Sequence, residues 1–352
     1  MKSSLTQNIH QVLVVLIGLL LLTLKPAHAQ STSLSHGVWT QSLFFRGFAP
    51  STGEKLRMKD LVKLAQDAKS NQIRDLYIFA GPFNEDGSIP DYSFSQTARA
   101  SVRRLKELAP NARVLPWLGG LQDKTVFLHK PEWRARAIED MTRLAKFLEV
   151  PGVHLDFEYI LPTSTYVIQY SQIPATRSPM TDYHPSMRDF FKEVREKAPS
   201  LFVSTVFPSS APEVTPWKAN PSRRDLEEIF PLVHQMSFLY YDTSITSQEI
   251  FDRGLRHQLE DIIAAKKASP STEVNIAFGT FVNEEQLHPY RDLSIENLPN
   301  SFATLKRALQ GLEDKNPLSG ISIFCEWETD ESEWQQFREG TSLVAPFSVA
   351  GR

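Results

Sequence analysis

The segment Pro151-Gly152-Val153-His154-Leu155-Asp156-Phe157-Glu158-Tyr159 places an imidazole and two carboxylates at alternate positions. Side chains two residues apart on a strand share a face, so His154, Asp156 and Glu158 point one way while Val153, Leu155 and Phe157 point the other. Burying such a set without a use costs roughly several kcal/mol unless every member is paired. The spacing therefore suits acid–base chemistry by carboxylates whose proton affinities are set by their surroundings. A satisfied structural network is the plain alternative. The same three groups are also the ligand set of some metal sites. Alternate positions on one strand lie well apart, however, and no further His-rich strand end completes a shell, so no metal is expected.

The segment resembles the D-G-x-D-x-D-x-E signature of glycoside hydrolase family 18, the chitinases and endo-β-N-acetylglucosaminidases. Glu158 falls on the general-acid position and Asp156 on the neighbouring aspartate, while Pro151 and His154 replace the first and middle aspartates. Other landmarks follow in order. Val233-His234-Gln235-Met236-Ser237-Phe238-Leu239-Tyr240-Tyr241-Asp242 is similar to the family's sixth strand, which ends in M-x-Y-D, with Leu239 in place of Met. Val114-Leu115-Pro116-Trp117-Leu118-Gly119-Gly120 resembles the third-strand segment with its glycine pair. Gly320-Ile321-Ser322-Ile323-Phe324-Cys325-Glu326-Trp327 is similar to the last strand, with Phe324 where a cleft-floor Trp is usual and Trp327 nearby.

The resemblance implies hydrolysis of β-linked glycans in which the sugar's own N-acetyl carbonyl attacks its anomeric carbon. Glu158 would protonate the leaving oxygen, Asp156 would orient the acetamido N–H, and Tyr241 would hydrogen-bond the acetamido oxygen. Asp242, His154, Trp117, Trp327 and Trp39 are the expected substrate-binding residues, the tryptophans by stacking on sugar rings. Trp39 and Trp117 could equally fill the core, as aromatic residues on buried strands often do. A histidine at position 154 could hydrogen-bond Asp156. As an imidazolium it would lower the Asp156 carboxyl and hold it away from Glu158, so an altered pH dependence or lost turnover is expected. A chitinase-like protein that binds carbohydrate without turning it over is the alternative. Such proteins usually lose the terminal acid, which is present here.

Positioning these residues requires strands that end at one mouth. Short β-branched or aromatic runs are expected as strands at Gly37–Phe45, Ile73–Ala80, Arg113–Leu118, Gly152–Glu158, Leu201–Phe207, Gln235–Asp242, Glu273–Gly279 and Gly320–Trp327. Several are nearly continuous apolar runs, as in parallel sheets covered on both faces. Amphipathic stretches separate them: Met58–Ala68, Ser95–Leu108, Pro131–Leu148, Pro185–Lys197, Ser222–Phe230, Ser247–Lys267, Ser301–Lys315 and Glu331–Glu339. In the third, Trp133, Ala137, Met141, Leu144, Ala145 and Leu148 recur at helical spacing. Eight such pairs predict a (β/α)8 TIM barrel, with functional residues at the C-terminal ends of the strands. A doubly wound open sheet is the runner-up, but no Gly-rich phosphate turn is present. The long stretch Ile160–His184 would then lie on the functional face.

The wider composition agrees. The chain has 352 residues and one cysteine, so a disulfide framework is excluded and an ordinary core must hold it together. Lys2, an apolar run from Val12 to Leu24 and Ala27-His28-Ala29 read as a secretory signal peptide over 1–29, too short to span a bilayer. The glycosidase domain is expected over 30–352. The formal charge is −3 before loss of Lys2 and Lys25, and no basic block is present, so nucleic acid is not an expected partner. No cofactor is expected. The loop Gly81–Gly87 reads as turn chemistry, Asn283, Glu284 and Glu285 as cleft rim or solvated loop, and Cys325 as a buried inert thiol.

Overall fold

A computed structural model describes residues 34–161, 180–212, 214–215, 218–282, 291–312 and 317–349. The expected signal peptide lies outside these residues, as do 162–179 of the long fourth loop and the rim residues Asn283, Glu284 and Glu285. Eight parallel strands close into a barrel in sequence order: β1 (His36–Thr40), β2 (Ile73–Pro82), β3 (Arg113–Leu121), β4 (Gly152–Glu158), β5 (Phe202–Pro208), β6 (Gln235–Leu239), β7 (Glu273–Gly279) and β8 (Gly320–Phe324). Helices follow the strands, and the fold is a (β/α)8 TIM barrel.

The two faces of each strand separate as the residue alternation requires. Val153, Leu155 and Phe157 of β4 join the apolar shell between sheet and helices. The helix Pro131–Leu148 supplies the other half of that contact. Proline opens it, Glu149 ends it in the left-handed region at φ 57°, and Trp133, Ala137, Met141, Leu144, Ala145 and Leu148 are buried on its inner face. Each large side chain buried this way contributes roughly 1.5–3 kcal/mol. A second, smaller apolar cluster fills the barrel itself and contains Trp39, Tyr77, Leu115, Tyr241 and Cys325.

Three strands are shorter than expected at their C-terminal ends. β1 stops at Thr40, β6 at Leu239 and β8 at Phe324. The apolar runs continue past these points, but the backbone turns. Leu43–Arg46 forms a short helix ended by Gly47 at φ 80°, and Asp242 takes a left-handed conformation at φ 47°. The helix after the fourth loop begins at Met180 rather than Pro185, which lies inside its second turn.

Candidate active site

Strand register fixes the site in layers. Across β3 and β4, Trp117 pairs with His154, Gly119 with Asp156 and Leu121 with Glu158. The glycine pair is what permits this approach. A Cβ on Gly119 would come within 2.1 Å of the Asp156 carbonyl oxygen, and Gly120 sits at φ 140°. Gly119 thus lets β3 lie close against the Asp156 backbone of β4, and Gly120 makes room for Thr125.

Below them lies a closed polar chain. The Trp39 indole Nε1 donates to His154 Nε2 at 3.1 Å, and an indole only donates, so that nitrogen is the acceptor and the imidazole proton resides on Nδ1. Nδ1 then donates to Ser204 Oγ at 2.7 Å, which donates to Gln235 Oε1 at 2.7 Å. Gln235 Nε2 donates to Asp75 Oδ2 at 2.7 Å, and Arg113 grips Asp75 with two bonds of 2.7 and 2.9 Å. His154 stacks on Tyr77 at 3.8 Å between ring centres. Burial, with the Arg113 charge adding to it, lowers the imidazole well below 6.5, so His154 is neutral at physiological pH.

This arrangement corrects the expected role of His154. Both ring nitrogens are engaged with Trp39 and Ser204, and neither bonds to Asp156. A neutral imidazole of this kind places no positive charge beside Asp156, and it offers no lone pair to a metal. Trp39 is likewise 1% exposed and belongs to the layer beneath the site. It holds His154 and presents no face for a sugar.

The carboxylates gather above. Asp156 and Glu158 line a small pocket together with Lys218, Tyr183, Val206 and Leu239. Asp156 Oδ2 accepts from the Trp117 indole at 3.2 Å, while its Oδ1 is buried with no hydrogen-bond partner among the described residues. Burial first, and then the Glu158 charge, push the Asp156 carboxyl up to about 7 against the pull of Lys218 and the Trp117 N–H. Asp242 is fully buried, its Oδ1 also lacks a partner among the described residues, and burial moves it up to about 6.

Lys218, which sequence reasoning missed, sits among these carboxylates. Its Nζ lies 2.8 Å from Glu158 Oε1 and 3.5 Å from Asp242 Oδ2. Burial opposes its charge, but Asp242, Glu158 and Asp156 hold the ammonium well above the ordinary lysine value. The residue is delivered by the loop after β5, where Lys218 bridges to Ile160 and the Ala219 amide donates to the Tyr159 carbonyl at 3.0 Å. One signal was available: Lys218 is the only Lys or Arg between Pro208 and Arg223. A second unanticipated group is Glu296, whose carboxylate accepts from the Thr243 amide at 2.9 Å beside Asp242 and is pushed by burial up to about 8.

An aromatic floor adjoins the carboxylates. Phe324 stacks on Tyr241 at 5.0 Å and meets Trp327 and Trp117 edge-on at 5.5 and 6.3 Å. Phe324, Trp117 and Trp327 are half-buried, which leaves ring surface at the mouth. The Tyr241 phenol is raised well above 10.0 by burial and by the Asp242, Asp156 and Glu158 charges, so it is a neutral donor facing the carboxylate group. Of the residues expected from sequence, the structure assembles Asp156, Glu158, Asp242, Tyr241 and Trp117 about one mouth, with Trp327 at its aromatic edge. His154 and Trp39 lie below it.

Comparison with known proteins finds no matching family model and no matching curated relative. Similar solved structures do exist. The Group IV chitinase of Ostrinia furnacalis in complex with allosamidin is 13% identical, with a TM-score of 0.57 over 90% of this chain and 100% of that one. A class V chitinase from Pseudomonas fluorescens Pf-5 is 12% identical, with a TM-score of 0.56 over 88% of this chain and 99% of the other. The spore cortex-lytic enzyme SleL of Bacillus cereus is 11% identical, with a TM-score of 0.55 over 87% of this chain and 74% of that one. This chain shares its fold with these enzymes.

Proposed function

We propose that this chain is an exported glycosidase that hydrolyses β-linked glycans carrying 2-acetamido groups, of the chitin, peptidoglycan or N-glycan type. The observation that carries the reading is the meeting of Asp156 and Glu158 in one pocket lined also by Lys218, whose ammonium reaches the buried Asp242, beside half-buried aromatic rings. The names of the structural neighbours, chitinases and a cortex-lytic enzyme, favour the same substrate class.

Glu158 has the solvent access a proton donor needs, with its side chain 26% exposed. It gives its proton to the leaving oxygen as positive charge develops at the anomeric carbon. The nucleophile is the substrate's acetamido oxygen, which closes onto that carbon to form an oxazolinium ring. Asp156, whose buried Oδ1 has no hydrogen-bond partner among the described residues, accepts the acetamido N–H. The Tyr241 hydroxyl donates to the acetamido oxygen, and Asp242 supports Lys218 and the sugar from beneath. Water deprotonated by Glu158 then opens the ring with retention. Residues 1–29 act as the export signal of a secreted or periplasmic protein, and 30–352 form the catalytic domain. No helix of the described residues is long and apolar enough to cross a membrane.

The purified protein is tested on chitin oligomers, peptidoglycan, a high-mannose glycopeptide and paired aryl chitobiosides differing only in the 2-acetamido group. Cleavage that requires the acetamido group, with the β-anomer of the product appearing first in proton NMR, is expected. Equal cleavage of the 2-hydroxy analogue contradicts substrate assistance. A binding protein without turnover is the second reading, favoured by the Lys218–Glu158 ion pair, which engages the proton donor.

A further inference from the structure

The structure assigns Lys218 a positioning role: we propose that its ammonium, which pairs with Glu158, passes to Asp242 when a ligand enters. The inference rests on the glycosidase reading given above. Its geometric basis is one buried Nζ within reach of two carboxylates, Glu158 at the end of β4 and Asp242 in the turn after β6, 2.8 Å from Glu158 Oε1 and 3.5 Å from Asp242 Oδ2. Both are at ion-pairing distance, so a movement of under an ångström or so exchanges the shorter contact for the longer one.

The groups around the ammonium favour two positions rather than one. Glu158 and Asp156 face it from β4, Asp242 from the end of β6, and the Tyr183 phenol from the helix Met180–Lys197. Behind Asp242 lie Arg291 and Glu296 from the segment after β7. Asp242 Oδ1 has no partner among the described residues, so that carboxylate has unused acceptor capacity. Asp242 is buried and fixed, whereas Glu158 is partly exposed. A sugar entering the mouth meets Glu158 first and offers its glycosidic oxygen as a new partner. A Glu158 carboxylate bound to an ammonium has no proton to give, so catalysis needs the pair to open. Lys218 transfers no proton in this step. It keeps its three N–H bonds and changes acceptor, and Glu158, once released, takes a proton from solvent and gives it to the leaving oxygen.

The test compares leaving groups. A 2,4-dinitrophenyl chitobioside departs without a proton, whereas chitotriose requires one. Both are assayed with the wild type, Lys218→Met and Lys218→Arg. The rate ratio of chitotriose to the dinitrophenyl glycoside is expected to rise about tenfold in Lys218→Met and to stay within about twofold of wild type in Lys218→Arg. A role in folding alone would lower both rates together. An unchanged ratio in a Lys218→Met protein with a cooperative melt therefore overturns the proposal. If Lys218→Met does not fold, Lys218→Met/Asp242→Asn, which removes the ammonium with one carboxylate, carries the same comparison. If the wild type cleaves neither glycoside, the glycosidase reading fails by itself. Lys218 is then judged by carbon-13 carboxyl NMR with and without N,N′,N″-triacetylchitotriose: ligand-induced shifts at both Glu158 and Asp242, absent in Lys218→Met, support the exchange. A shift at neither overturns it.

Discussion

The indole N–H of Trp39 lies 3.1 Å from His154 Nε2, and this contact fixes the protonation of the histidine that departs from the family signature. Because the donor is an indole, the imidazole must accept there and carry its proton toward Ser204. His154 is therefore a neutral member of a buried chain that runs down to Asp75 and Arg113. Asp156 above it is left without a charged partner from His154.

Nitrogen-15 NMR of the imidazoles checks this tautomer. The His154 Nδ1 signal is expected in the pyrrole-like range and Nε2 in the pyridine-like range, with no change between about pH 8 and pH 5. A His154 that titrates near the ordinary value of 6.5 contradicts the hydrogen-bond chain.

The raised carboxyls give the folded state an unusual dependence on pH. Asp156 and Asp242 stand at about 7 and about 6, above the ordinary aspartate value of 3.8. A group raised by folding binds more protons in the folded state, so its stabilising contribution is complete below about pH 4 and is lost as pH rises through 6 and 7. Asp156→Asn should therefore gain stability relative to wild type, on the order of 1–3 kcal/mol, between pH 5 and pH 8. Denaturant melts at those two values measure the difference. Buried His154 has the opposite slope, since its lowered value costs stability as pH falls, and the variant-minus-wild-type difference removes it. A difference that is flat across the window contradicts the assignment.

Tyr241→Phe isolates the hydroxyl from the ring. The stack on Phe324 survives the substitution, so the melting temperature should stay within about 2 °C, given that small ΔΔG values move it by a few degrees. Turnover of a chitobioside should fall about 10²-fold, as when one donor to a developing oxyanion is removed. An unchanged kcat would take Tyr241 out of the reaction.

Much of the barrel was legible because strands buried on both faces carry unbroken apolar runs, and helices between them carry a spaced stripe such as Trp133 to Leu148. Their C-terminal ends were less so. At Phe44–Phe45, Tyr240–Tyr241 and Cys325 the sequence stays apolar where the chain leaves the sheet, because these residues are themselves buried. Asp156 and Glu158 stood out from their alternate spacing on one strand, and Tyr241 and Asp242 from the resemblance of Val233–Asp242 to the family's sixth strand. Lys218 was not, since its meeting with Glu158 depends on a loop from β5 crossing to β4, a contact between residues 60 positions apart that no periodicity encodes. The same reason hid the fate of His154, whose partners come from β1 and β5.

The most direct test of the account is the rate of hydrolysis of a fluorogenic chitobioside by the wild type and by Glu158→Gln at matched concentration. Loss of a general acid is predicted to cost about 10²–10⁴-fold in kcat while binding of N,N′,N″-triacetylchitotriose stays within about tenfold. Equal rates in the two proteins would contradict the account by removing Glu158 from the chemistry.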